Sequence, residues 1–529
     1  MWVFHLRGNQ RTSGELSRKE GGKIFGGGSR APIAISLLVK NPGASQHGQI
    51  HFHDIGDYLS REDKLQTIER FRSVAGLSTA GAWLTVAPDP HGDWLKQRDE
   101  SLGEFVALGD KGRNAGAKLF HTYSNGVKTQ RDAWCFGSSK SEVGANMARM
   151  IGFYNAEADR FSSASAGLSK KQREEMIDDF LNADPRQISW TYNVKEELVK
   201  DRRFAFDEAC LVPSTYRPFT KQWLYYNRRF NERVYQMPRI FPDATAANRI
   251  ICISAPGFIS GFTILISDAP TELCVSAMKG GTQCFPLYLY DDSDTEAGAG
   301  ESENQGALFK ADAQPATQRN RRDALTDEGL AHFKAAYPGE KISKEDVFYY
   351  VYGLLHSPDY RERYADNLGK ELPRIPCVKT AADFHAFSQA GRDLAELHLN
   401  YETVAMYPAN IDTGGKTLTD ADYRVEKMRH GKKGKDKDLS TVKYNSRITV
   451  SGIPPQAYDY VVNGKPAIDW VMERQCVKTD KASGIVNDAN DWAIETMQNP
   501  KYPLELLLRV VTVSLETMSI VHALPKLDI

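Results

Sequence analysis

The densest concentration of binding chemistry in this chain lies between Thr215 and Pro242, TYRPFTKQWLYYNRRFNERVYQMPRIFP. Tyr216, Phe219, Trp223, Tyr225, Tyr226, Phe230 and Tyr235 alternate there with Arg217, Lys221, Arg228, Arg229, Arg233 and Arg239, and Glu232 is the sole carboxylate. Aromatic rings stack on bases and guanidinium groups pair with phosphates, so the mixture suits nucleic acid. A formal net charge of −1 leaves no general surplus of cations to explain the cluster. The competing reading is a pair of tyrosine-rich strands whose arginine stems lie along apolar surface with their heads in water. On duplex DNA, Arg is suited to phosphate and guanine, and Gln222 and Asn227 to adenine. The sequence does not divide Arg217, Arg228, Arg229 and Arg233 between positioning and base reading.

Other candidate chemistry is thinner. The basic run RHGKKGKDKD, Arg429 to Asp438, reads either as a solvated hairpin tip or as a phosphate-contacting loop. Near the start, Gly26, Gly27, Gly28 and Ser29 superficially suggest a phosphate cradle. No G-K-[ST] follows them, and the next element reads as a strand instead of a helix N-terminus. With Arg7, Arg11, Arg18 and Arg30, this loop better suits close approach to a ligand or a nucleic-acid backbone. His51, His53, Asp54, His91 and Asp93 are the residues from which a complete hydrolase or other enzyme would draw a site. His51 and His53 share a strand face, but a third ligand is missing nearby, so a metal is not expected. No H-E-x-x-H, G-x-S-x-G or P-loop occurs.

The elements that must position these groups follow from patterning. At 529 residues the chain is long enough for two or three domains. Val3 to Leu6 and Ala31 to Lys40 read as strands, the second apolar enough to be buried on both faces. GQIHFHD reads as a strand and Ser60 as the N-cap of a helix, with Asp63 completing a capping box. Thr326 to Pro373 reads as helical: Ser343 is an N-cap, Phe348, Val351, Tyr352 and Leu355 give an apolar face, and Ser357-Pro358 opens another helix. YRERYADNLGKELPR has the charge of a surface helix or of a phosphate-tracking one. Asn463-Gly464 is a hairpin turn followed by a helix. Leu504, Leu507, Leu508, Val511, Leu515 and Met518 give a core-facing helical stripe, interrupted by Arg509 and Glu516 and too short to span a bilayer comfortably. Asp291 to Asp323 is poor in large apolar residues and reads as a flexible insertion. The cysteines are scattered without a C-x-x-C pair, and the N-terminus lacks the pattern of a secretory signal, so a reducing cytoplasm is expected.

Several strings together carry a family resemblance. LRGNQRTSGELSRKEGGKIFGGGSRAPIAISLLVKNP, HDIGDYLSREDKL and HGDWLKQRD resemble the later half of the methyltransferase domain in bacterial type ISP restriction-modification enzymes. SNGVKTQRDAWCF, TYRPFTKQWLYYNRRF, CFPLYLYDD, KEDVFYYVYGLLHSPDYRERYADNLGKELPRIP and LAELHLNYE extend the likeness over nearly the whole chain. The resemblance implies the α/β remnant of a Rossmann-like methyltransferase sheet over residues 1–115. It also implies a mixed α+β target-recognition region over 116–529, with an insertion at 291–323 and helical segments at 326–373 and 500–522. The implied function is sequence-specific recognition of double-stranded DNA for adenine-N6 methylation. Lys128, Arg131, Arg217, Lys221, Gln222, Asn227, Arg228, Arg229 and Arg233 are then the candidate DNA contacts, Lys128 and Arg131 lying near the segment Gly126-Val127-Lys128-Thr129 that introduces the recognition domain.

The departures from that family matter equally. S-adenosylmethionine is implied for the whole enzyme, yet the glycine turn after the first strand and the Asn-Pro-Pro-aromatic loop that handles a flipped adenine are absent. Asn41-Pro42-Gly43 and Asn499-Pro500-Lys501-Tyr502 lack the second proline and its aromatic. The expectation is therefore a DNA-reading fragment, inactive in methyl transfer alone, whose methyltransferase and helicase portions lie elsewhere.

Overall fold

The computed structural model describes residues 1–11, 14–27, 29–112, 116–291 and 320–529. Gly28, the expected boundary at 115 and the interior of the 291–323 insertion lie outside the described residues. The rest divides into two compact units, Met1–Glu100 and Ser101–Ile529. Together they are a mixed α/β structure of several small sheets with a helical C-terminal part.

In the first unit, strands Ile33–Leu37, Trp2–Arg7, Ile50–Asp54 and Leu84–Val86 form one sheet in that spatial order. Trp2–Arg7 and Ile50–Asp54 run parallel, and each outer strand is antiparallel to its neighbour. Alternation along Trp2–Arg7 sends Phe4 and Leu6 into a cluster with Ile24, Ile55 and Leu77, and Val3 into another with Ile50, Phe52 and Val86. Helix Arg61–Phe71 begins as its capping box dictates: Asp63 N–H donates to Ser60 Oγ at 3.1 Å and Ser60 N–H to Asp63 Oδ2 at 3.0 Å. The strand within Ala31 to Lys40 is not doubly buried. It is an edge strand with Ile35 51% and Leu37 46% exposed, followed by Leu38 at 72%. An unbroken apolar run does not distinguish a central position from an edge, because that depends on which strand arrives beside it.

The second unit holds a sheet of strands Ile264–Ser267, Ile250–Ser254, Thr282–Pro286 and Ser124–Asn125. A three-stranded sheet joins Phe136–Gly137, Thr220–Tyr225 and Leu211–Arg217. Another four-stranded sheet orders Asn410–Asp412, Thr449–Ser451, Asp436–Lys443 and Arg429–Lys433. Helices Lys344–Leu354 and Ala381–Leu399 cross so closely that a Cβ on Gly391 would lie 1.9 Å from the Tyr349 carbonyl oxygen, and one on Gly353 2.1 Å from that of Phe387. Ser343 caps the first of these in a capping box, and every residue from Val347 to Leu354 is buried. The helix is thus enclosed on all sides, beyond the single apolar face its periodicity suggests. In YRERYADNLGKELPR, Tyr360 and Tyr364 are fully buried, and Arg361 donates to the Phe262 carbonyl, so that segment is only partly a surface element.

Asn463 and Gly464 take φ of 46° and 74°, as a type I′ hairpin turn requires, and helix Ala467–Arg474 follows. The C-terminal helix runs Tyr502–His522 and buries Leu504, Leu507, Leu508 and Val511. Strands Tyr288–Asp291 and Asn320–Asp323 pair antiparallel, so both ends of the expected insertion belong to a ladder. No described helix is long and apolar enough to cross a membrane.

Candidate nucleic-acid interface

The aromatic and basic stretch is built from the antiparallel strands Leu211–Arg217 and Thr220–Tyr225 and the irregular segment that follows them. The turn between the strands places Phe219 at φ 53°. Phe219, Tyr225, Tyr226 and Phe230 are buried, Tyr216 and Trp223 are half-buried, and only Tyr235, at 37%, is exposed. Phe219 packs edge-on against His398 and Tyr401, with centroids 6.2 and 5.3 Å away. Trp223 donates from Nε1 to Thr496 Oγ1 at 3.0 Å and packs on Trp492. Most of the rings are therefore core and cannot serve as a stacking platform.

Many of the cations have gone inside with them. Arg217 is 7% exposed, lies 4.1 Å from the Tyr216 ring centroid and pairs with the buried Glu272. Burial pushes the Glu272 carboxyl up to about 7, against the pull of the Arg217 guanidinium. Lys221 donates to Glu402 at 2.8 Å, and the Tyr502 hydroxyl donates to the same carboxylate at 2.6 Å. Gln222 is 6% exposed. Arg131 is 3% exposed, donates from Nη2 to Thr191 Oγ1 at 2.6 Å, and is held below its ordinary pKa by burial. Arg131, Arg217 and Lys221 therefore spend side-chain hydrogen bonds inside the fold, and Gln222 is buried beside them.

A second group stays closer to solvent. Lys128 and Arg233 exchange backbone hydrogen bonds of 2.9 Å each way, joining the segment near Gly126 to the far end of the aromatic stretch. Arg233 is exposed and donates to Asn193 Oδ1 at 2.9 Å. Asn227 forms a local turn, its Oδ1 accepting from the Arg229 N–H at 2.9 Å while Nδ2 donates to Cys210 Sγ at 3.6 Å. Arg229 pairs with Glu197 at 3.1 Å. Arg228 is half-buried, its guanidinium lowered by burial. Lys128, Asn227, Arg228, Arg229 and Arg233 thus gather in one region.

The run Arg429 to Asp438 forms a hairpin between Arg429–Lys433 and Asp436–Lys443, turning at Gly434 with φ 63°. Lys432, Lys433, Lys435 and Lys437 are all exposed there. Exposed Lys427, Lys443 and Lys478 lie outside the run, and its composition does not point to them.

In the glycine-rich segment of the first unit, Gly21 and Gly22 pack against the chain, whereas Gly26 and Gly27 of the candidate cradle face open space. A Cβ on Gly21 would fall 2.1 Å from the Leu59 carbonyl oxygen, so protein already fills that approach. The carbonyls of Glu20 and Gly22 point inward to accept from the buried Lys64 ammonium at 2.7 and 2.8 Å. A phosphate cradle would need the opposite polarity, with N–H groups converging.

The histidines and acids of the rival site are engaged separately. His53 Nδ1 bonds to the Ala82 carbonyl at 2.8 Å, and His51 stacks on Trp2. Asp54 is gripped by Arg7, Asp93 by Arg98, and the His91 N–H is used by Asp89. No group able to hold a metal ion is formed among the described residues. Asn499 bonds to Glu505 and caps the Lys501 N–H at the entry of the C-terminal helix, a local structural role.

The chain belongs to the family of the Type ISP C-terminal specificity domain, whose profile matches residues 118–506. The whole chain is similar to part of a nuclease-deletion mutant of the Type ISP restriction-modification enzyme LlaGI, solved in complex with a DNA substrate mimic, at 38% identity and a TM-score of 0.82. It is similar over its full length to the ATP-dependent Type ISP restriction-modification enzyme LlaBIII bound to DNA, at 33% identity and TM-score 0.82. The DrdV–DNA complex matches at 27% identity and TM-score 0.79. The chain spans 37%, 31% and 48% of those proteins' lengths, respectively. No curated protein matches the sequence.

Proposed function

We propose that this chain reads duplex DNA as the specificity part of a restriction-modification adenine-N6 methyltransferase. The observation that carries the reading is its full-length likeness, at 38% and 33% identity, to two Type ISP enzymes solved on DNA or a DNA mimic. The sheet of residues 1–100 is then the later part of a methyltransferase sheet. Lys128, Asn227, Arg228, Arg229 and Arg233 are the candidate contacts placed to meet DNA. Arg131, Arg217, Lys221 and Gln222 support that surface from within.

S-adenosylmethionine belongs to the reaction of the whole enzyme, and no Asn-Pro-Pro-aromatic motif occurs in this sequence to act beside it. We therefore assign no step of methyl transfer to these residues. Binding of the 529-residue chain to mixed duplex DNA, followed across a salt series, tests the reading. The expected result is measurable affinity at low salt, with log K falling linearly as log salt rises. No binding at low salt would overturn it. Incubation of the chain with labelled S-adenosylmethionine and DNA is expected to leave label transfer at background.

A further inference from the structure

We propose that the ribbon of strands Arg429–Lys433 and Asp436–Lys443 is a phosphate-contacting arm for duplex DNA, an inference that rests on the DNA-reading function above. Its strand register is the reason. Lys432 lies directly opposite Lys437, and Arg429 directly opposite Lys443. Directly opposed residues point to the same face with their Cβ atoms ~5 Å apart, so each pair sets two positive groups side by side. Like charges so placed work against the hairpin, and a polyanion laid across them removes the repulsion.

The surroundings sharpen the point. Lys432, Lys435, Lys437, Arg429 and Lys443 make no ion pair among the described residues, and Lys433 reaches only Asp438, at 3.8 Å with its own side chain 77% exposed. Two arginines near the same sheet are neutralised: Arg447 by Asp422 at 3.0 Å and Arg424 by Asp488 at 2.5 Å. Unpaired cations thus cluster on the ribbon, where Asp436 lies opposite Lys433 and Asp438 is the carboxylate that Lys433 reaches.

The base of the ribbon is rigid. Val442, Tyr444, Ile448 and Val450 are fully buried, and His430 bonds to Asp469 at 2.9 Å. A Cβ on Gly431 would meet that of Thr441 at 2.9 Å, so the strands close tightly where the register shifts. An arm held this way fixes the backbone positions from which its lysines extend, so the ribbon itself need not be ordered on binding. The bridge between Lys427 and Cys476 brings exposed Lys427 beside strand Val477–Thr479, which carries exposed Lys478, and continues the positive surface from the ribbon's base.

The test uses the full chain, a short mixed-sequence duplex and fluorescence anisotropy from low to moderate KCl. Lys432→Ala with Lys437→Ala is expected to lower the slope of log K against log salt by about two, with similar loss on unrelated sequences. Lys432→Arg with Lys437→Arg is expected to keep the slope. Lys432→Glu creates an opposite-charge pair with Lys437 and is expected to raise the melting temperature while weakening DNA binding. That combination separates a binding role from damage to the fold. Unchanged affinity and slope in both the alanine and glutamate variants, with the unaltered chain binding normally, would overturn the arm. Absence of binding by the unaltered chain would instead overturn the DNA-reading function on which it rests.

Discussion

The stretch Thr215 to Pro242 and the ribbon Arg429–Lys443 are both basic in sequence, and they meet opposite fates in the fold. In the first, aromatic rings alternate with the cations, and their burial draws Arg217 and Lys221 into contact with Glu272 and Glu402. In the second, polar and charged residues surround the lysines, and nothing pulls them inward. Aromatic interleaving, the feature that makes a basic segment look most like a nucleic-acid binder, is also what supplies the apolar area to hide it. An Arg stem packs along a ring at little cost, provided a carboxylate waits at the far end.

The contrast can be broken most forcefully at Glu272. Glu272→Ala leaves the buried Arg217 guanidinium unpaired and is expected to cost about 3–5 kcal/mol in urea unfolding. Replacing both partners by apolar residues of similar volume should recover most of that loss. A loss of less than about 1 kcal/mol for Glu272→Ala would mean that Arg217 reaches water and belongs with the surface group.

A second effect comes from the imidazoles beneath Phe219. His398 bonds to the Tyr352 hydroxyl at 2.7 Å and to Thr517 Oγ1 at 2.9 Å, while His356 bonds to the Tyr352 carbonyl at 2.8 Å. Burial lowers both, His356 to about 4. Each is neutral when folded, whereas the unfolded chain takes up a proton near pH ~6.5. The contribution of His356 is therefore complete above pH ~6.5 and is lost as the pH falls toward 4, by up to about 1.4 kcal/mol per pH unit, and that of His398 is lost in the same direction. Unfolding free energies measured from neutral pH down to about 4.5 should show this decline, and His356→Gln should flatten it.

Smaller again is the effect at the solvent-facing end of the same stretch. Arg228→Ala with Arg229→Ala is expected to weaken duplex binding and reduce the salt slope by about one, since Arg229 is shared with Glu197. An unchanged slope would group these residues with Arg217, as side chains that hold the fold and leave phosphates alone. The least change is expected for Lys432→Glu, where exchanging repulsion for attraction across the strands should stabilise the chain by about 0.2–1 kcal/mol. A drop in melting temperature would show that the two ammonium groups do not repel in the free protein.

Much of this was legible in the residues. Ser60 announced its helix because a capping box is complete within four residues, Ser343 announced its own as an N-cap, and Asn463-Gly464 announced its turn because few other pairs tolerate positive φ twice in succession. The edge position of Ile33–Leu37 was not legible, nor was the enclosure of Lys344–Leu354, because both depend on partners distant in sequence. The candidate interface divided along the same line. Composition located the basic segments, but whether Arg217 meets a phosphate or Glu272 depends on a residue 55 positions away. The opposed lysines of the ribbon were hidden for a related reason: a bulge between His430 and Gly431 decides which residues face each other.

The ladder of Tyr288–Asp291 with Asn320–Asp323 has an entropic consequence. It sets Asp291 directly across from Asn320, whatever length of chain joins them. Closing a longer connection between fixed ends costs only a logarithmic increment of entropy, roughly 0.6 kcal/mol per doubling. The ladder therefore fixes the separation of its two strands independently of the residues between them.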